Sequence, residues 1–348
     1  MHRLINFNSI VEEAWADYDQ SRPIRSVEDI SAMVSTNHVF RVTLADGDSV
    51  IAKLSYFGKF EHFKEDHSII NALATNLSHP FENVLARSLT KANEVYIYRY
   101  ISTSLDAWVV FYNPIKKRKM LPKRLEEDQI SKLGKEVAKF HKACSRVKGV
   151  LPPYSKTLKI DLEHLKDILD TDDGKYEHRG HVDTTKKQIE TFYENSILLN
   201  SDSFEAIPVF IDWNIGNFSV NASQKLFSRW DYDWFRMSGR VMDFYFFSRV
   251  VSDIGDRTEF SYVAGPLMED RFIIFLQAYH KEYPLSENEI RFIKEAYRFF
   301  LLNYVVKDGR YFFHEIYATK LQREVYELYL PTLDKVFDPE KLLKALKL

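Results

Sequence analysis

The chain has 348 residues, 45% of them apolar and 15% aromatic, enough to bury a large core and to build two or three compact units. Lys and Arg total 48 against 50 for Asp and Glu, a formal net charge of -2, so the balance asks for neither a nucleic-acid nor an acidic-membrane partner. Its one cysteine, Cys144, excludes an intramolecular disulfide and fits a reducing compartment.

In chain order, residues 1–15 carry Glu12, Glu13 and asparagines instead of a basic start and an apolar run, so no signal peptide is expected and a cytoplasmic location is. Runs 38–44 and 49–54 are β-rich and flank Ala45-Asp46-Gly47-Asp48, a strong hairpin signal because Gly accepts the positive φ such a turn demands. Lys53 therefore sits near a strand end. Residues 60–75 place Phe63, Ile69, Ile70, Leu73 and Ala74 at helical spacing, with Glu65 and Asp66 beside them. Residues 94–101 read as a further strand. The basic run 116–119, with Lys123 and Arg124, reads as a solvated loop, since no aromatic interleaving continues through it.

Residues 129–143 form an amphipathic helix with Ile130, Leu133, Val137 and Phe140 on one face, and Pro152-Pro153 breaks the chain after it. Residues 155–205 predict helices at 162–169 and 184–199, with a flexible loop at Asp172-Asp173-Gly174. Beyond Asp243 long helical runs cover 271–283, 287–307 and 309–330. The most apolar stretch, 299–306, is interrupted by Asn303 and flanked by Arg298 and Lys307, too short to span a bilayer. Trp230, Tyr232, Trp234, Phe235 and 244–247 read as core, with a ring-stacking pocket as the alternative. No internal repeat or low-complexity linker is evident.

The chemistry concentrates in Phe210-Ile211-Asp212-Trp213-Asn214-Ile215-Gly216-Asn217, followed fourteen residues after Asn217 by Asp231 in Trp230-Asp231-Tyr232-Asp233. Between them, 218–220 and 225–228 read as two short strands joined by the turn-prone 221–223, a hairpin that returns Asp231 beside Asn217. Phosphoryl transfer needs a carboxylate to orient an acceptor hydroxyl, and an amide plus a second carboxylate to hold magnesium at the nucleotide phosphates. Asp212, Asn217 and Asp231 have the types and order for those roles. Taken singly, each is an ordinary turn residue.

The 210–217 stretch resembles the catalytic loop, HGDxxxxN, of the aminoglycoside phosphotransferase and choline kinase-like enzymes, with Asn214 matching a frequent second Asn. Asp231, Asp233 and Asp243 match the rhythm of that family's metal-binding segment, and Leu133-Gly134 with Phe140-His141 its Leu-Gly...Leu-His helix. The family's His and Gly are here Phe210 and Ile211. The resemblance implies that Lys53, in Val50-Ile51-Ala52-Lys53, contacts the nucleotide phosphates, paired with Glu65 or Asp66. Spacing favours Asp66 and residue type favours Glu65. It implies that Arg99, Tyr100 and Ile101 lead into the hinge and meet the nucleotide base, and that the helices of 155–205 help shape the acceptor pocket. There is no glycine-rich loop at Ser35-Thr36-Asn37, so these residues either hold phosphates through amides and small hydroxyls or are plain turn formers.

The expected fold is α+β, two-lobed and protein-kinase-like, with a small mainly β N-lobe over residues 1–101 and a larger helical C-lobe over 102–348. The expected function is ATP- or GTP- and magnesium-dependent phosphorylation of a small-molecule hydroxyl, with Asp212 as the catalytic residue and Asn217 and Asp231 as metal ligands. The alternative is a pseudokinase that binds a nucleotide or a partner. No activation-loop Ala-Pro-Glu follows Asp231, which argues against a protein kinase.

Overall fold

The computed structural model describes residues 5–32, 35–116, 119–253 and 261–348. Lys117 and Arg118 of the basic run therefore lie outside the described residues, as do residues 1–4 of the N-terminal stretch.

The small lobe is a five-stranded antiparallel sheet in which strands Ile24–Asp29, His38–Leu44, Ser49–Ser55, Asp106–Tyr112 and Ile97–Ile101 lie side by side in that order. Period-two alternation sorts its faces. Phe40, Val42, Leu44, Val50, Ala52 and Leu54 pack with Ile10, Val11, Ala14 and Trp15 of helix Phe7–Tyr18. The intervening Lys53 therefore points to the opposite face, towards the cleft. The expected 38–54 hairpin is present, with Gly47 at φ 93° in its turn. Strand Ile24–Asp29 is too short and too polar to read as a strand, whereas helix Phe7–Tyr18 does carry a helical period, in Ile10, Val11, Ala14 and Trp15, that was passed over among the expected elements.

Two expectations are corrected here. The strand that leads out of the sheet is Asp106–Tyr112, paired with Ser49–Ser55, whereas Ile97–Ile101 lies outside it at the sheet edge. Arg99 forms a hairpin-tip ion pair with Asp106 at 2.7 Å, and Ile101 is 69% exposed. The chain thus leaves the sheet for the larger lobe after Tyr112, not after Ile101. The physical reason is burial: Ala107 to Tyr112 are all buried, so this run fills the inner position. The lobe boundary at 101/102 consequently falls inside the sheet.

The larger lobe is helical, and its central pair is Glu127–Val147 against Asp270–Glu282. Gly134 permits their close approach, because a Cβ there would lie 2.4 Å from the Phe275 carbonyl oxygen. The Asp172-Asp173-Gly174 stretch is not a flexible loop but a short helix, Asp172–Glu177, capped by the Thr171 hydroxyl accepting from Gly174 N–H at 3.0 Å. Tyr232, Trp234, Phe235 and 244–247 are buried in the main core, as expected of core residues. Helix Glu287–Phe300 runs into a π-helical segment, Leu301–Lys307. Among the described residues no helix is long and apolar enough to cross a membrane.

Candidate active site

The strands Phe218–Val220 and Leu226–Arg229 form the expected antiparallel hairpin, with Phe218 opposite Arg229. Trp230 N–H donates to Asn217 O at 3.0 Å, so the hairpin closes with Asn217 and Asp231 on neighbouring positions at its open end. On the near side, Asn217 Nδ2 donates to Asp212 Oδ2 at 3.0 Å, and Asn214 Nδ2 donates to Asp212 Oδ1. The amide of Asn217 thereby spends its donor on Asp212 and keeps its Oδ1 for another partner.

The loop holds this geometry although it lacks the family's His and Gly. Ile211 stands where the Gly would be and has φ 58°, a left-handed conformation rare for a β-branched residue. Its N–H and that of Phe210 both donate to Asp243 Oδ1, at 2.7 and 2.9 Å. Asp243 is fully buried, and its Oδ2 meets His141 Nε2 at 3.0 Å, while His141 Nδ1 meets the Tyr279 hydroxyl at 2.7 Å. Asp243 and His141 thus fix the loop from beneath. Phe210 packs on Trp213, Tyr232 and Phe235.

Arg229 completes the support, and nothing in its sequence context signals it. Fully buried, it donates from Nη2 to Asp212 O at 3.0 Å and from Nη1 to Asn217 O at 3.2 Å. Its guanidinium lies 5.1 Å from the Phe210 ring centre and 5.0 Å from that of Trp213. Burial lowers its pKa, with Asp212 the largest opposing influence.

Lys53, 6% exposed, meets the Asp231-Tyr232-Asp233 stretch from above: Nζ donates to Asp231 Oδ1 at 3.0 Å and to Asp233 Oδ1. Burial works against its charge, but the two carboxylates outweigh it and its pKa is raised. Burial also pushes Asp233 up to about 7, with Asp231 adding to the effect and Lys53 opposing it. Asp231 moves the other way, because Lys53 outweighs its desolvation. Asp231 adopts φ 66°, and its side chain remains 39% exposed. Among the described residues no three His, Cys, Asp or Glu side chains gather as a metal cluster. A magnesium site completed by phosphate oxygens needs no such cluster, and the Asp231 carboxylate with the Asn217 carbonyl is a suitable donor pair for it.

Neither Glu65 nor Asp66 of helix Phe60–Asn76 pairs with Lys53, which corrects the expectation for them. Glu65 accepts from Ser155 N–H and Oγ at 2.6 and 2.7 Å, and Asp66 pairs with Lys156 at 2.6 Å. Two aspartates already satisfy Lys53, while Ser155 and Lys156, just before helix Leu158–Asp170 of the larger lobe, donate to the two acids instead. Ser35, Thr36 and Asn37 are likewise engaged within the protein: Ser35 pairs with Phe313, Thr36 N–H donates to Phe312 O at 3.3 Å, and Asn37 Nδ2 donates to Asp233.

No protein-family model matches the chain, and no curated protein matches it in sequence. Solved structures do. Amicoumacin kinase in complex with AMP-PNP, Ca2+ and its ligand superposes with a TM-score of 0.62 at 14% identity, covering 91% of each chain. A microcompartment-associated aminopropanol kinase gives 0.62 at 13% identity, covering 94% of this chain and 98% of the other. The GDP complex of an aminoglycoside phosphotransferase gives 0.55 at 12% identity, covering 95% and 97%.

Proposed function

From the two-lobed kinase-like fold that this chain shares with those small-molecule phosphotransferases, we propose that it transfers the terminal phosphoryl group of ATP or GTP to a hydroxyl of a small molecule. The observation that carries the reading is the meeting of Lys53 with Asp231 and Asp233 beside the bonded pair Asp212–Asn217. Asp212 Oδ1 and Oδ2 are oriented by Asn214 and Asn217 and receive the acceptor hydroxyl. As the acceptor oxygen bonds to phosphorus and the bond to the nucleoside diphosphate breaks, the hydroxyl proton passes to Asp212. Asn217 and Asp231 would hold magnesium, whose bound charge supplies electrostatic stabilisation at the phosphate oxygens. Lys53 releases part of its hold on the two aspartates to steady the phosphates. The nucleotide base lies against the backbone that follows Tyr112. The enzyme works in the cytoplasm, in keeping with its lone cysteine.

Calorimetric titration of ATP with and without magnesium, on the native protein and on Asp231→Ala, tests this. Magnesium-dependent binding that collapses in the variant is expected. Absence of nucleotide binding by the native protein would remove the reading. Asp212→Ala should abolish turnover and spare nucleotide binding, and undiminished turnover would remove its role.

A further inference from the structure

A cavity of about 380 Å³ opens between helix Phe60–Asn76, helix Leu158–Asp170 and the π-helical segment Leu301–Lys307, and Asp233 forms part of its wall. The same Asp233 is held by Lys53, so the cavity adjoins the proposed phosphoryl-transfer centre. A buried polar group without a partner is costly, and native proteins keep few of them. Three cluster here. Asp66 is 8% exposed, and its Oδ1 has no hydrogen-bond partner among the described residues, although Oδ2 is taken by Lys156. Asn303, 2% exposed, has an unpartnered Oδ1. Arg236, 3% exposed, gives Nη2 to Asp161 but leaves Nε and Nη1 without hydrogen bonds.

The types of these atoms define a ligand. Asp66 Oδ1 and Asn303 Oδ1 accept hydrogen bonds, and the first carries negative charge. Arg236 Nε and Nη1 donate and carry positive charge; they lie on different edges of the guanidinium, so a carboxylate or other oxyanion in the cavity takes a single charge-assisted hydrogen bond from one of them. The π-helical geometry matters too: such segments are rare and concentrate at functional sites, and this one presents Asn303, the residue that interrupts the apolar stretch 299–306. Burial works against the charge of Arg236, but its carboxylate partner Asp161 opposes that and the guanidinium stays protonated.

We propose that this cavity takes a small zwitterionic alcohol, its ammonium group bonded to Asp66 and Asn303 and its anionic group to Arg236. The identification of this molecule as the phosphoryl acceptor rests on the phosphotransferase reading above; the ligand site does not.

The test uses matched triads, each a zwitterionic alcohol with the two analogues that lack one charged group: serine with ethanolamine and hydroxypropanoate, and γ-amino-β-hydroxybutyrate with aminopropanol and β-hydroxybutyrate. Binding of each to the full-length protein is measured by calorimetry, alongside magnesium-ATP. A zwitterion should bind about tenfold to a hundredfold tighter than either of its analogues, the range expected when one charged hydrogen bond is removed. Asp66→Asn, nearly isosteric and still able to accept from Lys156, and Asn303→Leu should each erase the advantage over the analogue lacking the amine. A singly charged analogue that binds as tightly as its zwitterion overturns the inference. So does binding of magnesium-ATP with no member of either triad, in which case the cavity holds water alone. Zwitterion binding without nucleotide binding supports the site and removes the phosphotransfer reading instead.

Discussion

Substituting Ile211 separates backbone strain from burial. At φ 58° the residue is left-handed, which costs an L-amino acid roughly 1–2 kcal/mol. Its side chain is fully buried, so Ile211→Ala should cost about 2–5 kcal/mol through the packing it removes. Ile211→Gly loses slightly more side chain but escapes the left-handed penalty. In regular structure glycine is worse than alanine by roughly 0.5–1 kcal/mol. Here the order should invert, with glycine better by up to about 1 kcal/mol once its greater chain entropy is subtracted from the relieved strain. Urea denaturation followed by tryptophan fluorescence, on the native protein and both variants, gives the ranking. Both variants should fall below the native midpoint, glycine above alanine. Alanine equal to or above glycine would refute the left-handed turn, and with it the geometry that presents Asp212.

Further expectations follow from the same region and its supports. Gly134→Ala should destabilise by about 1–3 kcal/mol in the same assay, because the new Cβ meets the Phe275 carbonyl oxygen at 2.4 Å and the two central helices must part. Asp243→Ala strips the acceptor from two buried N–H groups and from His141, and should cost about 3 kcal/mol while lowering turnover more than nucleotide affinity; an unchanged melting curve would rule out its supporting role. Burial holds His67 at about 3, with Nδ1 donating to Phe63 O at 2.8 Å. The unfolded chain takes up that proton near pH 6.5, so the stability due to His67 is complete above that value and drains as pH falls towards 3, at about 1.4 kcal/mol per pH unit. Between pH 7 and pH 5 the native protein should therefore lose about 2 kcal/mol more than His67→Gln; equal losses would contradict a neutral buried imidazole.

Much of the site was legible because its signals are local. The order Asp212, Asn217, hairpin, Asp231 lies within twenty residues of chain, and turn chemistry with short β-rich runs was enough to predict that the hairpin brings Asn217 and Asp231 together. The β-rich runs 38–44 and 49–54 with Asp46-Gly47 between them likewise foretold the strand that carries Lys53. The strand Ile24–Asp29 escaped because it is a mostly exposed edge strand whose place comes from pairing with His38–Leu44, whereas the apolar face of helix Phe7–Tyr18 was present in the sequence and was passed over.

What the sequence by itself determined is most of the elements and the order Asp212, Asn217, hairpin, Asp231, since hydrophobic period and turn propensity act between near neighbours. Only the tertiary structure decided who pairs with whom. Lys53 went to Asp231 and Asp233, Glu65 to Ser155 and Asp66 to Lys156. The strand that leads out of the sheet is Asp106–Tyr112 and not the run holding Arg99–Ile101, and Arg229 is the buried brace of the loop. The reason is that a buried charge takes whichever opposite charge or dipole the packed chain brings within about 3 Å, and that proximity is set by the assembly of distant segments, not by their spacing in sequence.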